Sequence, residues 1–177
     1  MSFTTPDNPA VGGYITAAQG QIWVDDLIAL WTQPFARKTA TESVTSSATL
    51  QNDDALSVSV AASTTYEVEL VVLYDGATAG DLKVGFTAPA AASFEGIAVG
   101  LAVAATTSGD DTTAYVALGT SNAFGALGTG TTTAGRISGV LTTSGAGTFQ
   151  MQWAQQASSG TATRVFANSY LSLTRRA

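Results

Sequence analysis

The chain has 177 residues, a formal net charge of -6 and only 11% charged side chains, and it contains neither cysteine nor histidine. That composition removes disulfides, zinc-thiolate centres, histidine ligands, cysteine nucleophiles and serine-histidine catalysis together, and the lack of a basic stripe argues against nucleic acid as a partner. No apolar run approaches the ~20 residues of a membrane span and the N-terminus lacks the pattern of a secretory signal, so the expected product is soluble and made in a cytoplasm.

Taken in order, residues 1–14 carry Pro6, Pro9, Gly12 and Gly13, which disfavour helix and central strand alike and predict an extended arm. Thr16 and Gln19 then have the form of a capping box. Trp23, Leu27, Leu30 and Trp31 fall on one face at helical spacing, Asp25 and Asp26 lie on the other, and Pro34 ends the run. The pattern predicts one short amphipathic helix whose tryptophans need a substantial partner surface, either its own sandwich or another subunit. These segments form an expected unit of residues 1–36, followed by a β-domain of residues 37–177.

Within the β-domain, Glu42-Ser43-Val44-Thr45 reads as a weak edge strand. Asn52-Asp53-Asp54 reads as a turn ahead of the alternating Leu56, Val58 and Val60. The best patterned stretch is Thr65 to Tyr74. Tyr66, Val68, Leu70, Val72 and Tyr74 share one face and Glu67 and Glu69 the other, while Val71 and Leu73 make the end of that second face apolar and in need of cover. Leu82, Val84 and Phe86 follow. Next come Phe94 to Val103, where Ile97, Val99, Leu101 and Val103 share a face opposite Gly96 and Gly100, which suggest a close approach of backbone. A short strand around Tyr115 to Leu118 precedes an aperiodic Gly/Thr/Ala-rich loop over 119–135. Ile137 to Leu141, the stripe Phe149, Met151 and Trp153, and a final strand from Val165 to Leu173 complete the set. Eight to nine antiparallel strands with turn signals between them predict an all-β fold, a jelly-roll β-sandwich with an N-terminal extended arm and one short α-helix.

Candidate chemistry is sparse. Glu67 and Glu69 stand roughly 7 Å apart along one strand face, a spacing compatible with paired-acid hydrolysis but better read as a solvated face. The pairs Asp25-Asp26, Asp53-Asp54 and Asp110-Asp111 lack calcium-loop spacing, and Gly125, Gly128 and Gly130 lack the spacing of a phosphate cradle. No catalytic residue, metal or cofactor is therefore expected. The basic doublets Arg37-Lys38 and Arg175-Arg176 read as solubilising charge or as a small contact with an acidic partner.

Two stretches resemble known proteins. Gly13-Tyr14-Ile15-Thr16-Ala17-Ala18-Gln19, leading to Trp23-Val24-Asp25-Asp26-Leu27-Ile28-Ala29-Leu30-Trp31, resembles the opening of virion proteins from tailed bacteriophages, which often carry Arg-Asp-Asn in place of Val24-Asp25-Asp26. Gly147 to Gln155 with Asn168 to Arg175 is similar to the last two strands of the C1q/TNF-like jelly rolls that such phages carry on heads and tails. The resemblance implies a non-enzymatic bacteriophage structural protein: a homotrimeric capsid decoration (minor capsid) protein on the outer surface of the major capsid lattice or, alternatively, a tail or fibre protein meeting the host surface. The residues expected at its capsid or subunit interfaces are Tyr14, Ile22, Trp23, Leu27, Leu30, Trp31, Val71, Leu73, Arg175 and Arg176.

Overall fold

β4, Thr64–Asp75, runs through the interior of the larger of two antiparallel sheets, with β9 (Thr133–Thr143) along one side and β12 (Tyr170–Arg175) along the other. This is a computed structural model in which Ala18, Gly20, Gln21, Val24 and residues 33–176 are described. The period-two reading of β4 holds: Tyr66, Val68, Leu70, Val72 and Tyr74 are buried, while Glu67 is exposed and Val71 and Leu73 are half-buried on the outer face. Ala18, Gly20, Gln21 and Val24 are helical. The rest of the expected arm and helix, including Tyr14, Ile22, Trp23, Leu27, Leu30 and Trp31, lies outside the described residues.

The larger sheet has the order β1 (Phe35–Arg37), β12, β4, β9, β6 (Ser93–Leu101), β7 (Asp111–Ala117), with β11 (Thr163–Val165) pairing to β4 and to β2 (Glu42–Val44). The smaller sheet has the order β3 (Gln51–Val60), β10 (Gly147–Gln155), β5 (Leu82–Thr87), β8 (Ser121–Phe124). The fold is all-β, antiparallel and sandwich-like, as expected of a jelly roll. β2 lies at the sheet margin as its weak hydrophobicity predicted, paired only to β11.

Twelve strands are present among the described residues, more than the eight or nine expected. β1 is too short to display an alternating pattern. β8 lies inside the stretch read as a loop over 119–135, because its four residues include one large apolar group, Phe124. The expected closing strand from Val165 to Leu173 is divided by a turn in which Asn168 takes a φ of 72°. There the Ser169 hydroxyl accepts the Leu73 N–H that a continuous ladder would have paired.

Asn52-Asp53-Asp54 is not a turn before a strand but part of β3, where the register against β10 shifts between Gln150 and Gln152. Asp53 supplies turn chemistry inside that irregularity, since its Oδ1 accepts the N–H groups of Ala55 and Leu56 at 2.9 and 2.8 Å. Its other oxygen receives Lys38 Nζ at 2.6 Å, and Lys38 also reaches Glu42 at 2.8 Å. Lys38 is thus a buried structural cation rather than the solubilising charge its doublet suggested.

The core explains the orientation of β6. Phe86 and Phe149 from the smaller sheet stack at 4.9 Å, and Phe94 from the larger sheet meets them at 5.3 and 5.7 Å. Phe124 lies over Gly100 and Gly135, where an added Cβ would stand 2.7 and 3.3 Å from its ring. Gly96, Ala98 and Gly100 share the inward side of β6 with Phe94: the Phe124 ring leaves no room for a side chain at Gly100, and at Gly96 the limit is the backbone of β9, since a Cβ there would stand 2.2 Å from Ser138 O. Ile97 and Val99 share a face as expected, but that face is turned to solvent.

Candidate functional site

The outer face of the larger sheet is built from directly paired residues. One row runs Phe35, Ser172, Glu69, Ser138, Ile97, Tyr115, and the next runs Arg37, Tyr170, Val71, Arg136, Val99, Thr113. A third holds Thr174, Glu67, Val140, Glu95 and Ala117. Ile97, Val99 and Val140 are 49%, 40% and 50% exposed and Tyr115 is 64% exposed, so four large side chains on neighbouring strands face water together. At the other end of the rows Phe35 and Tyr170 stack at 6.0 Å.

Charges cross this face in pairs. Arg136 reaches Glu69 at 3.1 Å, and Arg176 Nε donates to Glu67 at 2.9 Å. Partial desolvation and the nearby Glu95 carboxylate push the Tyr115 phenol up; partial desolvation and Glu69 do the same to Tyr170. Glu67 and Glu69, the pair weighed for hydrolysis, therefore stand on an open sheet face, each held by a guanidinium. Among the described residues no group of three or more acidic, histidine or cysteine side chains could hold a metal ion.

Of the expected interface residues, Val71 and Leu73 lie on this face and Arg176 joins it through Glu67. Arg175 is elsewhere. Its backbone N–H donates to Gln33 Oε1 at 2.9 Å and its guanidinium approaches Thr64 Oγ1 at 3.4 Å, where the chain enters β1. Ile97, Val99, Tyr115, Arg136 and Val140 were not singled out from sequence. The signal was the small-residue alternation Gly96, Ala98, Gly100, which marks the inward side only once an aromatic partner layer is known to oppose it.

A second feature is one end of the sandwich, where the loops over 102–110 and 125–132 meet. Leu101, Ser108 and Asp111 share a groove there with Leu127, Thr131, Thr132, Thr133 and Ala134. Buried carboxylates fasten these loops. Asp81 accepts the N–H groups of Ala126 at 2.8 Å and Ala104 at 3.3 Å, and Asp75 accepts that of Gly130 and pairs with Arg164. Burial pushes the Asp81 carboxyl up, with the two N–H groups working against it. Burial acts on Asp75 as well, but Arg164 and Gly130 outweigh it and hold that carboxyl below its usual value. The Tyr74 hydroxyl donates to Gly125 O at 2.6 Å, and its phenol is pushed up to about 12, chiefly by burial. Gly125 is obligatory here, because a Cβ on it would stand 1.9 Å from Ala102 O.

No family model matches the chain, and no curated protein matches it. Among solved structures it is similar to the tripod from the baseplate of bacteriophage Tuc2009, with 13% identity over 97% of this chain and 75% of that one and a TM-score of 0.35. A second similarity is to a chain in the structure of the infectious bursal disease virus Gt strain, with 10% identity over 82% of this chain and 41% of that one and a TM-score of 0.23.

Proposed function

We propose that this protein is a non-enzymatic bacteriophage virion component, a capsid decoration protein that sits as a trimer on the outside of the head lattice and stabilises it. The observation that carries the reading is the outer face of the larger sheet, which offers Ile97, Val99, Tyr115 and Val140 to solvent on neighbouring strands. A partly apolar sheet face of this kind suits packing against another folded surface. The resemblance of residues 13–31 and 147–175 to phage virion proteins supports the same reading. Residues 1–34, with Tyr14, Ile22, Trp23, Leu27, Leu30 and Trp31, fasten the sandwich to the lattice in this proposal. Val71, Leu73, Arg175 and Arg176 contribute to contacts between subunits or with the capsid. A protein that binds only the assembled shell stabilises it by mass action.

The test is the copy number of this protein in purified virions, measured by quantitative mass spectrometry against the major capsid subunit. The expected ratio approaches that of the capsid subunit. Absence from the particle overturns the virion reading. A few copies per particle would favour the second reading, a tail or fibre protein meeting the host surface. In that alternative the exposed loops over 104–112 and 119–135 meet the host surface; residues of both, Ser108 and Asp111 with Leu127 and Thr131, line the groove at the loop end side by side.

A further inference from the structure

We propose that Lys38 and Asp53 condense into an intramolecular isopeptide bond, with Glu42 carrying a proton between them. The proposal is independent of the virion reading and of the outer sheet face. Its first support is placement. Lys38 and Asp53 are 2% and 0% exposed, and their side chains meet at 2.6 Å. Both residues are fixed at the backbone. The Lys38 N–H donates to Ser169 O and its carbonyl accepts the Asn168 N–H, each at 2.9 Å, while the Asp53 carbonyl accepts Gln150 Nε2 at 3.0 Å. A contact of 2.6 Å to Oδ2 puts Nζ roughly 3–3.5 Å from Cγ, the separation of reactants held for attack.

The second support is the difference between the two carboxylate oxygens. Oδ2 faces the amine, whereas Oδ1 accepts the N–H groups of Ala55 and Leu56 at 2.9 and 2.8 Å. An amine adding to Cγ drives charge onto an oxygen, and two backbone N–H groups already aimed at Oδ1 are the donors that hold such an oxyanion. Asp53 is therefore the carboxyl that is attacked. Glu42 Oε2 also lies 2.8 Å from Nζ, but its remaining contacts are long, Gln51 Nε2 at 3.4 Å from Oε1 and the Asp54 N–H at 3.5 Å from Oε2. Touching the reacting nitrogen without an oxyanion site of its own, Glu42 is placed to take a proton and return it.

The step balances without any further reactant. Nζ passes one proton across its hydrogen bond to Oδ2, and the neutral amine adds to Cγ. Glu42 removes a second proton from the nitrogen and delivers it to Oδ2. The Nζ–Cγ bond has formed, the Cγ–Oδ2 bond breaks, and one water leaves. An ammonium and a carboxylate have become one neutral amide. Burial gives the direction, because two charges withdrawn from solvent are replaced by none. The water escapes into the cleft lined by Thr39, Thr41, Asp54 and Ala55. The ion pair is the state before this step, and the energetics of breaking it refer to chain that has kept its water.

The experiment is the intact mass of the folded full chain, denatured immediately before measurement, beside the Asp53→Ala and Glu42→Gln variants. We expect the unsubstituted chain to weigh about 18 Da less than its sequence requires, and both variants to keep their full mass. Trypsin is expected not to cut after Lys38, and fragmentation of the resulting peptide 38–83 should join Lys38 to Asp53. Closure of an aspartate to a succinimide loses the same water but leaves Lys38 open to trypsin and to acylation. A mass loss with a reactive Lys38 therefore overturns the proposal. So does a link mapped to Glu42, or full mass after prolonged incubation of the folded chain. Water loss that persists in Glu42→Gln overturns the proton-carrying role of Glu42 and leaves the bond standing. If a variant fails to fold, the mass and map of the unsubstituted chain still decide.

Discussion

Lys38→Met tests the polar joint between β1 and the rest of the sandwich. Lys38 and Asp53 are 2% and 0% exposed and pair at 2.6 Å, with Glu42 as a second partner at 2.8 Å. Removing the cation leaves Asp53 buried and charged. Its Oδ1 keeps the N–H groups of Ala55 and Leu56, but Oδ2 loses its only partner among the described residues, while Glu42 at 19% exposure can recover some hydration. Breaking a buried pair from one side costs about 3–5 kcal/mol, and the retained N–H bonds put the expected loss near the lower end, about 3 kcal/mol. Equilibrium urea unfolding followed by tryptophan fluorescence measures it as a fall in midpoint at constant slope. In the double variant Lys38→Met/Asp53→Asn the orphaned charge is gone while an amide oxygen remains for Ala55 and Leu56, so part of the loss is recovered. A cost below about 1 kcal/mol for the single variant, or strict additivity in the cycle, would refute this account of the pair.

Gly96→Ala is expected to destabilise by about 1–3 kcal/mol, because its Cβ would stand 2.2 Å from Ser138 O, and Gly109→Ala, which meets nothing within 4 Å, is the matched control in thermal melts. The Asp75 carboxyl is lowered from 3.8 in the folded chain, so its contribution is full above that value and is lost as pH falls through the depressed folded value. Asp75→Asn should therefore be less stable at neutral pH and should flatten the acid limb of a stability-pH profile. Tyr74 has the opposite sense. With its phenol raised from 10.0 to about 12, stability is unaffected below pH 10 and falls as pH rises through that window, and Tyr74→Phe should remove that slope in alkaline unfolding experiments. At neutral pH Tyr74→Phe costs about 1–3 kcal/mol by leaving the Gly125 carbonyl unpaired, measurable in the same urea assay.

The sequence by itself determined the strand class and the buried side of most strands. Hydrophobic alternation in Tyr66 to Tyr74, in Leu56 to Val60 and in Phe149 to Trp153 is local, and burial on one sheet face imposes it residue by residue. The same locality made β1 and β8 illegible, since three or four residues cannot show a period. The turn at Asn168 was hidden by the apolar residues on either side of it. Half of the candidate face was legible in Val71 and Leu73, which stood on the wrong side of a buried strand and so announced a need for cover. The other half, from Ile97 and Val99 to Tyr115 and Val140, was decided only by tertiary structure. Which side of β6 faces inward depends on how the aromatic layer is shared: Phe94 fills its place against Phe86 and Phe149, and the Phe124 ring seats over Gly100 and Gly135. Lys38 carries the same lesson for charge: its doublet read as surface until the fold brought Asp53 and Glu42 to it, because a partner fifteen residues away in sequence leaves no mark on the local pattern.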